Sequence, residues 1–197
     1  MSDMLDALRE RFEHGGRLSR REAAELVQEA TVHDLGELGL LARERRHGRQ
    51  AYYVYNQHLN YTNICENRCR FCAYSKRRGE KGGFTYSAAQ ARARLEERRE
   101  APIREVHIVG GLNPALPYEY YLELIRTVKQ ARPGARVKAF TAVEIAFLAD
   151  TYGKSQTTVL EELMAAGLDA LPGGGAEVFD PELRQKLCPE KVSGQRW

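Results

Sequence analysis

The sequence predicts an α/β protein. Its expected architecture is about four β/α units of a TIM-type (β/α) barrel, preceded by an N-terminal helical cap. Three observations carry this. Short β-branched or aromatic runs alternate with longer segments of helical period, strand then helix, four times from residue 51 onward, which implies parallel strands joined by right-handed crossovers. The C-terminal end of each run leads into unusual residues: a cysteine cluster, Gly110-Gly111, Thr141 with Glu144, and Gly173 to Glu177. Such residues gathered at successive strand ends mark the mouth of a barrel, where active sites sit. The cysteines, Cys65, Cys69 and Cys72, follow the first run in a Cys-x3-Cys-x2-Cys spacing.

Taken in order, residues 1–50 read as the cap. Leu5, Leu8 and Phe12 repeat at helical spacing and Gly15-Gly16 ends that helix. Ser19-Arg-Arg-Glu22 is a capping box that opens a second helix through Glu29. Thr31 to Asp34 opens a third, with Leu35, Leu38 and Leu41 or Leu40 expected on one face and a stop near Gly48. His14, His33 and His47 read as surface or capping residues, and the basic run Arg43 to Arg49 as a helix end, where cations suit the macrodipole.

Residues 51–197 read as the barrel domain. Ala51 to Asn60 is aromatic and alternating, hence strand one, with Asn56, His58 and Asn60 on one face. That face points either to a ligand or to solvent. After the cysteines, Lys76 to Gly83 is charged and glycine-rich, the composition of a mobile loop. Ser87 to Glu100 is a helix that Ser87 caps. Glu105 to Val109 is strand two, Pro117 to Ala131 a helix with proline at its start, and Arg136 to Phe140 strand three. Helical pieces follow, the second from Thr157 to Ala166. Gly167 to Leu171 is strand four, and Asp180 to Leu187 a last helix. A full barrel needs more than roughly 200 residues, so the expectation is an N-terminal part of one, truncated at the C-terminus.

The bulk numbers bound the function. Thirty Lys and Arg against 27 Asp and Glu give a net charge of +3, no electrostatic case for nucleic acid. No apolar run is long enough to span a membrane. The segment Met1 to Glu13 is too polar for a secretory signal.

Three clustered thiolates can hold three corners of a four-iron, four-sulfur cluster and leave the fourth iron open, whereas electron-transfer clusters are closed by four cysteines. A disulfide framework does not suit an odd cluster of cysteines. A zinc site would need a fourth ligand, and no paired Cys or His follows at the usual spacing. Cys188, far along the chain, reads as a buried or helix-end thiol without a cluster role. Few cysteines and a cluster together point to a reducing cytoplasm.

The cysteine spacing, with Phe71 before the third cysteine, resembles that of the radical S-adenosylmethionine (SAM) enzymes. Asn60-Tyr-Thr-Asn-Ile-Cys65, Phe71-Cys-Ala-Tyr74, His107-Ile-Val-Gly-Gly-Leu-Asn-Pro114 and Leu171-Pro-Gly-Gly-Gly-Ala-Glu177 resemble the menaquinone and deazaflavin branch. Lys138-Ala-Phe-Thr-Ala-Val-Glu-Ile145, Val178-Phe-Asp-Pro181 and Cys188-Pro-Glu-Lys191 are similar to the aminofutalosine synthase family within it. The related cyclic dehypoxanthine futalosine synthases usually carry Ser-Pro-x-Glu-type residues where this chain has Thr141-Ala-Val-Glu144. They and the deazaflavin (FO) synthase type are the alternatives within the enzyme class. A non-catalytic zinc or iron–sulfur module is the alternative outside it.

The resemblance implies a 4Fe-4S cluster ligated by Cys65, Cys69 and Cys72, with SAM chelated to the open iron and consumed as a co-substrate. It implies addition of a 5′-deoxyadenosyl radical to the enol-ether double bond of 3-[(1-carboxyvinyl)oxy]benzoate, giving 6-amino-6-deoxyfutalosine, methionine and bicarbonate in menaquinone synthesis. Its partners are then a carboxylated small molecule and a reducing donor such as flavodoxin or ferredoxin. Gly110 and Gly111 match the family's glycine pair at the SAM amino group. Leu112 replaces the usual acid after that pair, and Asn113 is the candidate for the missing polar contact. Tyr74 is placed against adenine. Glu144 and Glu177 are expected to bind ribose hydroxyls or handle a proton. Thr141 is expected to hydrogen-bond either ligand, and Lys138 is a candidate partner for a substrate carboxylate.

Overall fold

The structure, a computed structural model, describes residues 2–197. They form two compact units, one running to Tyr53 and the other spanning Val54–Trp197.

The first unit is three helices: α1 (Ser2–Glu13), α2 (Arg20–Glu29) and α3 (Val32–His47). Reciprocal capping boxes open two of them. Ser19 Oγ accepts from the Glu22 N–H while the Glu22 carboxylate takes the Ser19 N–H, and Thr31 and Asp34 repeat the pattern. Leu5, Leu8, Leu26 and Leu38 form its small core. Arg9 forks onto Glu37, tying α1 to α3 at 2.7 and 2.8 Å. The expected leucine face of α3 is corrected here. Leu38 is buried but Leu35 and Leu40 are exposed, because the leucines are spread around the helix rather than along one stripe.

The second unit is a three-stranded parallel sheet in the order β1-β2-β3, with β1 (Asn56–Leu59), β2 (Glu105–Ile108) and β3 (Arg136–Ala139). Helices α4 (Ala88–Glu96) and α5 (Tyr118–Ala131) are the crossovers. After β3 come α6 (Ala142–Tyr152), α7 (Gln156–Ala166) and α8 (Pro181–Leu187). One sheet face carries Leu59, Val106, Ile108, Val137 and Ala139, all buried in a core shared with α4, α5, α6 and α7. Gln57 is buried on that face and is satisfied, donating to the Arg94 carbonyl at 2.9 Å and accepting from Arg132 at 3.3 Å. The opposite face carries Asn56, His58, His107 and Lys138, the last three in register across the strands.

Two strand expectations are corrected. Strand one is Asn56–Leu59 rather than Ala51 to Asn60. Asn56 pairs with Glu105, where β2 begins, so the residues before Asn56 have no strand beside them. Residues 167–171 run alongside β3 but pair at a single bridge, Lys138 with Ala170. The Asp169 carboxylate takes the Val137 N–H at 2.7 Å, a bond that a fourth strand would have made through a carbonyl, and Lys129 pairs with the same oxygen at 2.6 Å. The loop of residues 76–83 is also fastened more than its composition predicts. Lys76 N–H donates to the Asn63 carbonyl, Asn63 Nδ2 to the Gly82 carbonyl, and Arg77 N–H to Glu80.

Candidate active site

β1 delivers the chain into a buried segment, Tyr61-Thr-Asn63, before the cysteines begin. Thr62 Oγ1 bonds the Phe84 carbonyl and the Thr85 hydroxyl, and Asn63 Oδ1 accepts from the Phe84 N–H. The Cys65 N–H donates to the Lys76 carbonyl at 3.0 Å. The cysteine loop therefore leaves the sheet from a fixed base. Its far side is held by the end of α8: the Arg70 N–H donates to the Leu187 carbonyl at 2.8 Å, and the Arg68 N–H to Glu190 at 3.2 Å.

Cys65, Cys69 and Cys72 line one cavity of about 210 Å³. With them lie Tyr74, Gly110, Gly111, Thr141, Glu144 and Glu177, so eight of the sequence-predicted companions and ligands share this wall with Cys65. Asn113 does not. It is buried, but its amide donates to Thr85 Oγ1 at 3.2 Å and its oxygen accepts from the Ala115 N–H at 3.1 Å. Lys138 is not at the cavity either and pairs with Glu105 at 2.9 Å. Cys188 is fully buried at the C-terminal end of α8.

The glycine pair is dictated by contact. A Cβ at Gly111 would stand 2.1 Å from the Ile64 carbonyl oxygen, and one at Gly110 2.5 Å from the Tyr61 ring. Neither approach is possible for another residue without moving the backbone of the cysteine loop or a buried aromatic. The Leu112 N–H then points at Cys65 Sγ, 3.4 Å away. Burial pushes the Cys69 thiol up to about 11 and raises Cys65 as well, so any metal held by them as thiolates would displace protons.

Glu144 is 3% exposed and holds four donors. Oε1 accepts from the Gly110 N–H at 3.0 Å and the Tyr61 hydroxyl at 3.2 Å. Oε2 accepts from the Thr141 N–H at 2.7 Å and Thr141 Oγ1 at 2.9 Å. It is thus both the capping-box acid of α6 and the brace of the glycine turn. Burial raises its pKa to about 7, against the opposing pull of those donors. The chain enters α6 through Phe140, fully buried with φ of 61°, a left-handed conformation that packing against Tyr61 and Tyr121 sustains.

Sequence reasoning missed Tyr61 and Lys191. Tyr61, 1% exposed, sits under the glycine pair amid Tyr120, Tyr121 and Phe140. Lys191 is brought to the cavity by α8, its ammonium 2.6 Å from Glu177 Oε2 and 5.2 Å from the centre of the Phe71 ring. Both lie inside the motifs quoted above, but the spacing gives them no role there, since each acquires its place from segments distant in sequence.

The donor set fits an iron–sulfur cluster. Among the described residues no three His, Cys, Asp or Glu side chains converge as ligands of a single ion do. A cluster takes one thiolate at each of several iron corners, so thiols spaced around a cavity suit it.

A family model described as the Radical SAM superfamily matches residues 59–197. The chain is 38% identical over 193 residues, 98% of its length and 52% of the relative's, to the aminodeoxyfutalosine synthase of Thermus thermophilus. It is 37% identical over 156 residues, 79% of its length and 42% of the relative's, to the 5-amino-6-(D-ribitylamino)uracil–L-tyrosine 4-hydroxyphenyl transferase of Methanopyrus kandleri. The chain spans about half the length of these curated relatives. In fold it is similar to HydG, a maturase of the [FeFe]-hydrogenase, at a TM-score of 0.59 and 20% identity, covering 87% of this chain and 46% of that one.

Proposed function

The chain belongs to the radical SAM superfamily, and from that premise we propose that it carries the cluster- and SAM-binding part of an enzyme of the aminofutalosine synthase type. The observation that supports this most directly is the single cavity shared by the three cysteines, the glycine pair, Thr141 and Glu144. The likeness to the Thermus thermophilus enzyme supports this choice of reaction.

When bound, a cluster with one open iron supplies one-electron reductive cleavage of SAM, whose deoxyadenosyl group is transferred to the enol-ether carbon of 3-[(1-carboxyvinyl)oxy]benzoate. Cys65, Cys69 and Cys72 hold the cluster as thiolates. Gly110 and Gly111 present bare backbone to the methionine end of SAM. Glu144 keeps that backbone in place through the Gly110 N–H. Tyr74 and Thr141 flank the nucleoside, and Glu177 is available to its ribose hydroxyls. Partial enclosure of the site by the cysteine loop and the α8 segment limits water around the reacting groups.

A second reading is favoured by one observation, the 37% identity to a tyrosine 4-hydroxyphenyl transferase. It keeps the same cluster and SAM roles and changes the acceptor.

The test is anaerobic reconstitution with iron and sulfide, electron paramagnetic resonance with and without SAM, then product analysis by mass spectrometry. A reduced 4Fe-4S signal that changes on adding SAM, followed by 6-amino-6-deoxyfutalosine from the enol ether, is the expected result. A cluster signal indifferent to SAM sinks the SAM assignment. A SAM-responsive cluster that instead consumes tyrosine and 5-amino-6-ribitylaminouracil establishes the second reading.

A further inference from the structure

Lys191 is the one cationic side chain among the described residues that line the cavity of the three cysteines. Its side chain is 11% exposed. Its ammonium sits between the Phe71 ring, 5.2 Å from the ring centre, and Glu177, with the Gly175 carbonyl at 3.5 Å. Phe71 belongs to the cysteine loop itself, between Cys69 and Cys72. The cation is therefore held against the loop by a ring face and prevented from extending into water. The counter-ion Glu177 is the more solvated of the pair, its side chain 30% exposed, so water screens its charge more than that of Lys191. The less screened charge of the pair at this cavity is the cation.

We propose that Lys191 sets the reduction potential of the cluster, with Glu177 as the counter-ion that limits its effect. This rests on the cluster reading above but not on the identity of the acceptor substrate. Cluster potentials respond to net charge, hydrogen bonds to sulfur and solvent exposure. Reduction adds one electron, from an external low-potential one-electron donor, to iron already surrounded by three thiolates. No bond is made or broken and no proton moves. A fixed cation beside the thiolates stabilises the more negative, reduced state and so raises the potential. Lys191 is a positioning charge rather than a catalytic residue, because it acts through the cluster.

The experiment is an electron paramagnetic resonance-monitored redox titration of the reconstituted full chain with dithionite, without SAM, after counting iron and sulfide per chain. Lys191→Met is expected to lower the reduction equilibrium about tenfold, or about 59 mV for a one-electron couple. Glu177→Gln is expected to shift it the opposite way, and Lys191→Arg to leave it near the wild-type value. A purely structural pair would give shifts of the same sign, or none, in Lys191→Met and Glu177→Gln, and either result overturns the proposal. Should Lys191→Met assemble no cluster, the sign of the Glu177→Gln shift decides alone: upward supports the proposal and unchanged or downward overturns it. A wild-type chain that assembles no cluster overturns the cluster reading and this proposal together, whereas a full cluster with unmoved potentials overturns this proposal only.

Discussion

The Glu144 carboxylate accepts a 3.0 Å hydrogen bond from the backbone N–H of Gly110. The bond joins the first turn of α6 to the turn that follows β2, and its second oxygen is committed to Thr141 in the same helix cap. One side chain therefore fixes the relative position of two of the loops that enclose the cavity. The sequence alone led to Glu144 as a residue that binds ribose hydroxyls or handles a proton. Its bonds make it a brace for the residues expected to touch SAM.

Replacing Glu144 by Ala strips four donors of their acceptor, two of them backbone N–H groups. At about 1–3 kcal/mol for each buried donor left unpaired, with solvent entry relieving some, a loss on the order of 3 kcal/mol is expected in urea unfolding. SAM affinity should fall as well, measured by calorimetry on the reconstituted protein. A fully stable variant with unchanged SAM binding would contradict the bracing role.

The same carboxylate makes stability depend on pH. Its pKa is raised from 4.5 to about 7 in the fold, so the native state holds a proton that the unfolded chain has released. Its contribution is fully present below about pH 4.5 and is lost as pH rises through about 7. Unfolding free energy should thus decline across that window, and Glu144→Gln should flatten the decline. An equal slope in both proteins would show that other groups carry it.

Gly111→Ala places a methyl 2.1 Å from the Ile64 carbonyl oxygen. The cysteine loop must move, so iron and sulfide retention after gel filtration is expected to drop severalfold. Gly134→Ala is the control, since nothing lies within 4 Å of the added carbon, and stability there should change by no more than about 0.5 kcal/mol.

Cys69→Ala is expected to abolish SAM cleavage and the cluster signal. Cys188→Ala is expected to keep both, with a stability loss of about 1–2 kcal/mol for a fully buried sulfur. Loss of the cluster in Cys188→Ala would make that thiol a ligand.

Much of this was legible in the sequence. The caps at Ser19, Thr31 and Ser87 each place the start of a helix to within a residue, because a cap is a contact between residues three apart. The cysteine spacing brings three thiols to one cavity for a related reason: they are close in sequence, so geometry and spacing coincide. The glycine pair was also visible, although its backbone contact with Ile64 was not.

The tertiary structure decided what depends on distant partners. Strand one ends up short because pairing needs a neighbour, and β2 offers one only from Glu105. Residues 167–171 pair with β3 at a single bridge because the Asp169 side chain takes a ladder position. Glu144 becomes a brace, Asn113 turns away to Thr85, and Lys191 arrives beside Phe71 from the far end of the chain. The chain itself thus determined its local elements and the clustering of its three cysteines, which arise within a few residues. Packing alone settled which side chains face the cavity, since burial and hydrogen-bond completion are satisfied over the whole fold and leave no local mark.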